Sequence, residues 1–182
     1  DAQLARLIAA AKQAGTWERT TLIVVSDHGF MPISRRIKPG VLLHGLGLVE
    51  LDGERPRAWR VAMSLSGGGA YLYLNDPKDD AARRAITDTF TAQAGQPGSG
   101  ILRVYRPEEI VARGGDPDAA LALEAADGFS FAGGYTGPAT EAAPEQYRGT
   151  HGYDPERPEM AASLVIVGPG VRPGLELPGA RM

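Results

Sequence analysis

The chain has 182 residues, 43% of them hydrophobic and 23% charged, with a net charge of −3, 24 glycines, 14 prolines and no cysteine. That length can bury a substantial core as one domain, or as a core with a subdomain; the missing cysteines exclude disulfides and thiolate metal sites and leave Asp, Glu and His as metal ligands. The charge balance gives no basic groove for neutralising nucleic-acid phosphates, and no stretch approaches the ~20 apolar residues of a membrane span.

The chain opens on Asp1 with neither a signal peptide nor an initiator Met, which reads as a piece of a longer polypeptide. Asp1 is placed to cap a helix whose Leu4, Leu7, Ile8 and Ala11 follow helical spacing, with Gly15 as its stop. Trp17 is expected to pack as core where the helix meets a strand. Residues 21–25 form an unbroken apolar and β-branched run, the pattern of a strand buried on both faces. The run stops abruptly at Ser26-Asp27-His28-Gly29. A carboxylate and an imidazole side by side at the carboxyl end of a buried strand sit where open α/β sheets place their sites. Asp offers a hard anionic oxygen and neutral His a borderline nitrogen, so the pair suits zinc, manganese or iron. Taken alone, the pair also reads as a turn with an N-capping Asp. Gly29, without a Cβ, allows a sharp turn or a close approach.

Residues 31–36 read as a loop, with Arg35 and Arg36 as solvated charges ahead of a role facing an anionic substrate. Val41, Leu42, Leu43 and Leu46 predict a short helix ended by the glycines at 45 and 47, and His44 within it reads as a surface or hydrogen-bonded structural histidine. Val61, Met63 and Leu65 share one strand face. The glycines at 67–69 then turn the chain into a strand over 70–74. No Lys-Ser/Thr pair follows and a strand comes next, so this is a structural turn and not a phosphate loop. Asp76-Pro77 opens a helix with Ala82, Ile86 and Phe90 on one face, closed around Gly95. A strand over 101–105 and a helical turn over 107–111 lead to turn chemistry at 114–118, whose aspartates lack the spacing of a calcium loop. Leu121 with Leu123, and Phe129 with Phe131, alternate in two more strands. Residues 133–148 form a Gly- and Pro-rich loop of the kind that carries function. It delivers His151 between glycines. Residues 163–167 predict a second core strand, parallel to the first, turning at Gly168-Pro169-Gly170. The chain from Val171 shows turn residues and no anchoring helix.

Ser26-Asp27-His28-Gly29-Phe30 after a hydrophobic strand, then Gly149-Thr150-His151-Gly152-Tyr153-Asp154, then an apolar strand ending Val167-Gly168-Pro169-Gly170-Val171, resembles the type I phosphodiesterase/nucleotide pyrophosphatase family of the alkaline phosphatase superfamily. The resemblance spans nearly the whole chain, strong at both ends and looser between. It implies an α/β fold, a partial alkaline-phosphatase-like layered core with a small α+β insertion subdomain. Residues 1–56 would carry the Ser-Asp-His-Gly motif, 57–132 the insertion, and 133–182 the return to the core with the Gly-Thr-His-Gly motif.

The same resemblance implies metal-dependent hydrolysis of phosphodiester or pyrophosphate bonds in a small phosphodiester or nucleotide substrate. Two divalent ions, usually zinc, would be required. Asp27 and His28 would bind the ion that activates the hydroxyl nucleophile, and His151 the other ion. Ligation needs neutral imidazole, so activity should fall on the acid side. The family's further aspartate ligand, its Thr or Ser nucleophile and its Asp-x-x-x-His pair precede the first motif, and are expected upstream of Asp1. Three ligands shared between two ions leave neither four-coordinate. This chain alone is therefore expected to bind metal weakly, not to turn over, and to self-associate through exposed apolar edges. Members of the family are often exported or periplasmic. Sister activities on the same scaffold stay open (phosphomonoesterase, phosphonate hydrolase, sulfatase or phosphomutase). So does a non-catalytic α/β module in which Asp27, His28 and His151 only make hydrogen bonds.

Overall fold

The structure is a computed structural model that describes residues 1–177 and 179; the end of the expected return segment, 178 and 180–182, lies outside the described residues. Its elements run α1 (Ala2–Gln13), β1 (Leu22–Val25), β2 (Met31–Ile37), α2 (Pro39–Gly45), β3 (Val49–Asp52), β4 (Arg55–Trp59), β5 (Val61–Ser66) and β6 (Gly69–Leu74). Then come α3 (Asp80–Gln93), β7 (Ile101–Tyr105), α4 (Pro107–Ala112), β8 (Leu121–Ala125), β9 (Gly128–Phe131), β10 (Thr140–Ala142), β11 (Gly149–Thr150) and β12 (Leu164–Val167). The chain forms two compact units, Gly29–Ala161, and Asp1–His28 together with the chain from Ala162 onward.

The larger unit is organised on an antiparallel sheet in the order β5-β6-β8-β7. Strand period places alternate residues on one face. Ala70 and Leu72 of β6 face Leu123 and Leu121 of β8 across the ladder, and all four are buried. Ala82, Ile86 and Phe90 form the expected stripe on α3 and join the same core. The opposite sheet face carries a smaller cluster of Tyr105, Ile110 and Ala119, with Tyr71 and Tyr73 against it.

Helix α3 starts later than Asp76-Pro77 predicts. The cap is Asp79, whose carboxylate accepts the Ala82 amide at 3.0 Å, while Asp76 accepts the Lys78 amide in the preceding turn. The Arg60 guanidinium donates to both Asp79 oxygens at 2.8 and 2.7 Å. These bonds, Arg60 first and the Ala82 amide next, hold the carboxyl down to about 2.

Residues 31–36, expected as a loop, lie in strand β2 (Met31–Ile37). It pairs in parallel with β9 and antiparallel with β10 and β11. The arginines obscured the pattern in the sequence: Arg35 stays exposed on the strand, while the Arg36 charge is answered across the sheet. Arg36 donates to Glu141 of β10 at 2.7 Å, and Arg35 lies 5.7 Å from the centroid of Phe129 in β9. Strand β10 correspondingly lies inside the stretch expected to be a loop throughout. Strands β3 and β4 form an additional hairpin.

In the smaller unit β1 pairs with β12 alone among the described residues, and the pairing is antiparallel, Leu22 facing Val167 and Val25 facing Leu164. Two expectations are thereby corrected. The strands are not parallel, and β1 is not buried on both faces: Ile23, Val25 and Val165 are 56%, 53% and 55% exposed. None of the described residues of this unit is buried. The apolar run reports what a strand is suited to touch, and burial needs a layer over it. A two-stranded ribbon alone is marginal in water. Asp1 occupies the N-cap of α1 without a side-chain bond, and its carbonyl accepts the Ala5 amide at 2.9 Å. Trp17 is half-buried and not core. No helix among the described residues is long and apolar enough to cross a membrane.

Phe90 is fully buried, so Phe90→Ala should lower unfolding free energy by about 3–5 kcal/mol in urea titration. A loss under about 1 kcal/mol would contradict the assigned core.

Candidate functional site

Asp27 and His28 follow the end of β1, and the next element is strand β2, so Asp27 caps no helix. Asp27 Oδ2 lies 3.5 Å from His28 Nε2, with side-chain exposures of 86% and 36%. The two donors of the first motif are thus adjacent and reachable. Gly29 is there for a visible reason: a Cβ would fall 1.8 Å from the Glu159 carbonyl oxygen. Its amide donates to the Met160 carbonyl at 2.9 Å, and the Phe30 amide to that of Glu159 at 3.1 Å.

The second motif is fixed residue by residue. Gly149 and Thr150 pair with Pro32 and Met31 of β2. The Gly68 amide donates to the His151 carbonyl at 2.8 Å. Gly152 has φ +81°, and a Cβ there would fall 1.9 Å from the Ser66 carbonyl oxygen. Tyr153 is buried, and its hydroxyl donates to the Phe129 carbonyl. Asp154 accepts from the Arg113 guanidinium at 2.7 Å, the Tyr105 hydroxyl at 2.9 Å and the Glu156 amide at 3.0 Å. In both motifs the close approach that glycine permits is made by the protein's own backbone.

Around Asp154 lies a polar network that the sequence does not announce. Tyr105 Oη is 2.7 Å from Glu124 Oε2, and Arg157 Nε donates to Glu124 Oε1 at 2.7 Å. Burial first, then the bonds to Glu124 and Asp154, pushes the Tyr105 hydroxyl up, so it stays a phenol. At Asp154 burial works upward, but the Glu156 amide, Tyr105 and Arg113 outweigh it and hold the carboxyl below its ordinary value. A cavity of about 340 Å³ opens beside the network, bordered by Ser66, Arg113, Glu124, Gly152 and Asp154; that is the small end of ligand pockets. The one available signal was Glu124, a charge inside the apolar run of β8. Its partners Tyr105 and Arg157 come from two other segments, which no local pattern links.

His44 behaves as its sequence context predicts, with Nδ1 3.0 Å from the Val49 carbonyl. Asp116 accepts from the Tyr73 hydroxyl at 2.9 Å and from the Asp118 amide, which are turn and packing roles. For a metal, Asp27 and His28 fit in kind, one carboxylate oxygen and one imidazole nitrogen. They do not complete a site in number. Among the described residues, no group of three or more His, Cys, Asp or Glu side chains is arranged to hold an ion.

Residues 1–154 match the family described as type I phosphodiesterase / nucleotide pyrophosphatase. No curated protein matches in sequence. Among solved structures, murine ectonucleotide pyrophosphatase/phosphodiesterase 5 superposes with TM-score 0.58 at 23% identity, over 91% of this chain and 38% of its own. The human counterpart gives 0.60 at 21% identity, with the same coverage. An inactive form of the murine protein has been solved in complex with AMP. Phosphonoacetate hydrolase from Sinorhizobium meliloti, in complex with phosphonoformate, gives 0.57 at 18% identity, over 92% of this chain and 40% of its own. These likenesses, all under 25% identity, show the fold alone. The chain spans about two fifths of the length of these structures.

The depressed Asp154 carboxyl gives a sign for pH dependence. A folded value below the unfolded one stabilises above about pH 4, and the contribution is lost as pH falls below it. Asp154→Asn should therefore be less stable than wild type at neutral pH in urea titration. The difference should close on acidification, and an unchanged gap at about pH 3 would contradict the assignment.

Proposed function

We propose that this chain, which belongs to the type I phosphodiesterase/nucleotide pyrophosphatase family over residues 1–154, supplies metal-binding residues to a hydrolase of phosphodiester or pyrophosphate bonds. Family membership supports a phosphoric-ester hydrolase; the further reading concerns how this chain takes part. Asp27 and His28 donate to one divalent ion and His151 to a second. The nucleophile belongs to polypeptide outside this sequence. The observation that carries the reading is the reachable Asp27–His28 pair, 3.5 Å apart at the end of β1, within a chain that also carries a second family motif around His151.

A pair of divalent ions, when bound, lowers the pKa of a hydroxyl nucleophile and neutralises charge on phosphoryl oxygens. The chain's own contribution is positional. Strand β1 ends where Asp27 and His28 begin. Its exposed Ile23, Val24 and Val25 have the composition of an interior strand, which supports further polypeptide lying over it. For that reason this chain by itself is expected to bind metal weakly, to self-associate, and not to turn over. Zinc suits the donor types, and uptake weakens on acidification because ligation needs neutral imidazole. A nucleotide-sized substrate is supported by the AMP bound to the murine neighbour.

A second reading is favoured by the likeness to phosphonoacetate hydrolase, a sister activity acting on a phosphonate. The discriminating experiment uses the full-length protein with zinc. It compares an aryl phosphodiester, the matching monoester and a phosphonate, with wild type and His151→Ala. Preference for the diester, lost by at least about 100-fold in His151→Ala, is expected for an ion ligand. Preference for the monoester or the phosphonate would replace the diesterase reading with a sister activity. No turnover of any substrate would leave a non-catalytic module.

A further inference from the structure

We propose that the turn Gly67-Gly68-Gly69 between β5 and β6 is the positioning element of His151, resting on the reading of His151 as a metal donor. As sequence it is an ordinary hairpin turn. In the fold it is pressed onto the second motif along its whole length. A Cβ at Gly67 would lie 2.2 Å from the His151 carbonyl oxygen and 2.4 Å from Thr150 Oγ1. One at Gly68 would lie 2.3 Å from the Tyr153 ring, and one at Gly69 2.6 Å from the Gly152 carbonyl oxygen. Contacts this short force something to move, and apart from Thr150 Oγ1 the atoms met are backbone or the root of a buried ring.

The hydrogen bond from the Gly68 amide to the His151 carbonyl makes the same contact attractive. The turn is itself held from behind, because the Phe131 amide donates to the Gly67 carbonyl at 2.7 Å and the Ala125 amide to that of Gly68 at 2.8 Å. The β5-β6-β8 sheet therefore sets where the His151 backbone lies. The region between the two motifs thus acts on the second of them directly. Gly67 and Gly152 have positive φ, while Gly68 and Gly69 do not. Alanine at 68 or 69 consequently tests contact without backbone strain.

The test follows the imidazole NMR signals of His28, His44 and His151, each assigned in the full-length protein by its own His→Gln substitution. In full-length Gly68→Ala the His151 signal should shift, while those of His28 and His44 stay in place. Zinc affinity, read by titration of the same signals, should fall about 10- to 100-fold, as for other groups that orient a ligand. In a Tyr153→Ala background, where the ring is gone, the added methyl should produce little further shift or loss. Gly69→Ala, which meets a different atom of the same loop, should act like Gly68→Ala and serves if that variant does not fold. A His151 signal unmoved in both folded glycine variants, or equal shifts at His44, would overturn the proposal. So would full additivity with Tyr153→Ala. A shift of His151 in Gly68→Ala without any effect of zinc on the wild-type His151 signal would keep the positioning role and remove the donor reading. Zinc binding at His151 that is indifferent to both glycine variants would do the reverse.

Discussion

Backbone lying directly on backbone is the constraint from which the candidate site follows. Gly29 rests on the Glu159 carbonyl, Gly149 against Phe30 and the Met31 carbonyl, and Gly152 on the Ser66 carbonyl. A single methyl at any of these would displace a main-chain carbonyl or a ring, so the motif segments can sit where they do only as glycine. What glycine permits, other residues then fix. Tyr153 is buried with its hydroxyl on the Phe129 carbonyl, and Asp154 is held by Arg113 and Tyr105. His151 is therefore a half-buried step of a segment anchored on both sides.

The anchoring joins the fold to the chemistry. Strand β2 receives the second motif as β11 and also carries β9 and β10. Core packing along Met31 and Ile37 thus supports the strand on which Gly149 and Thr150 register. The β5-β6-β8-β7 sheet supplies the Gly68 amide on one side and Tyr105 and Glu124 on the other. A region that reads as an insertion in the sequence is in contact with the motif at nearly every residue from Thr150 to Asp154.

Legibility in the sequence followed the range of the forces. Helix α3, the 61–74 hairpin and α2 were readable because their patterns are local: period, turn chemistry and a glycine stop. His44 was readable because an apolar helical context leaves a histidine few partners. Strand β2 was missed because Arg35 and Arg36 break its apolar pattern, and their partners Phe129 and Glu141 lie about a hundred residues away in sequence. The buried Tyr105–Glu124–Arg157 network was missed for the same reason. Strand β1 was read correctly as a strand and wrongly as buried, since burial depends on what lies over it. Asp27, His28 and His151 were legible as residues of two motifs, and the packing that gives the motifs their glycines was not.

Zinc-edge anomalous diffraction from crystals of the full-length protein tests the central claim most directly. Two peaks are predicted, one at about 2.0–2.2 Å from an Asp27 oxygen and a His28 nitrogen, the other at the same distance from a His151 nitrogen. Zinc bound elsewhere, with Asp27, His28 and His151 touching none of it, would contradict the account.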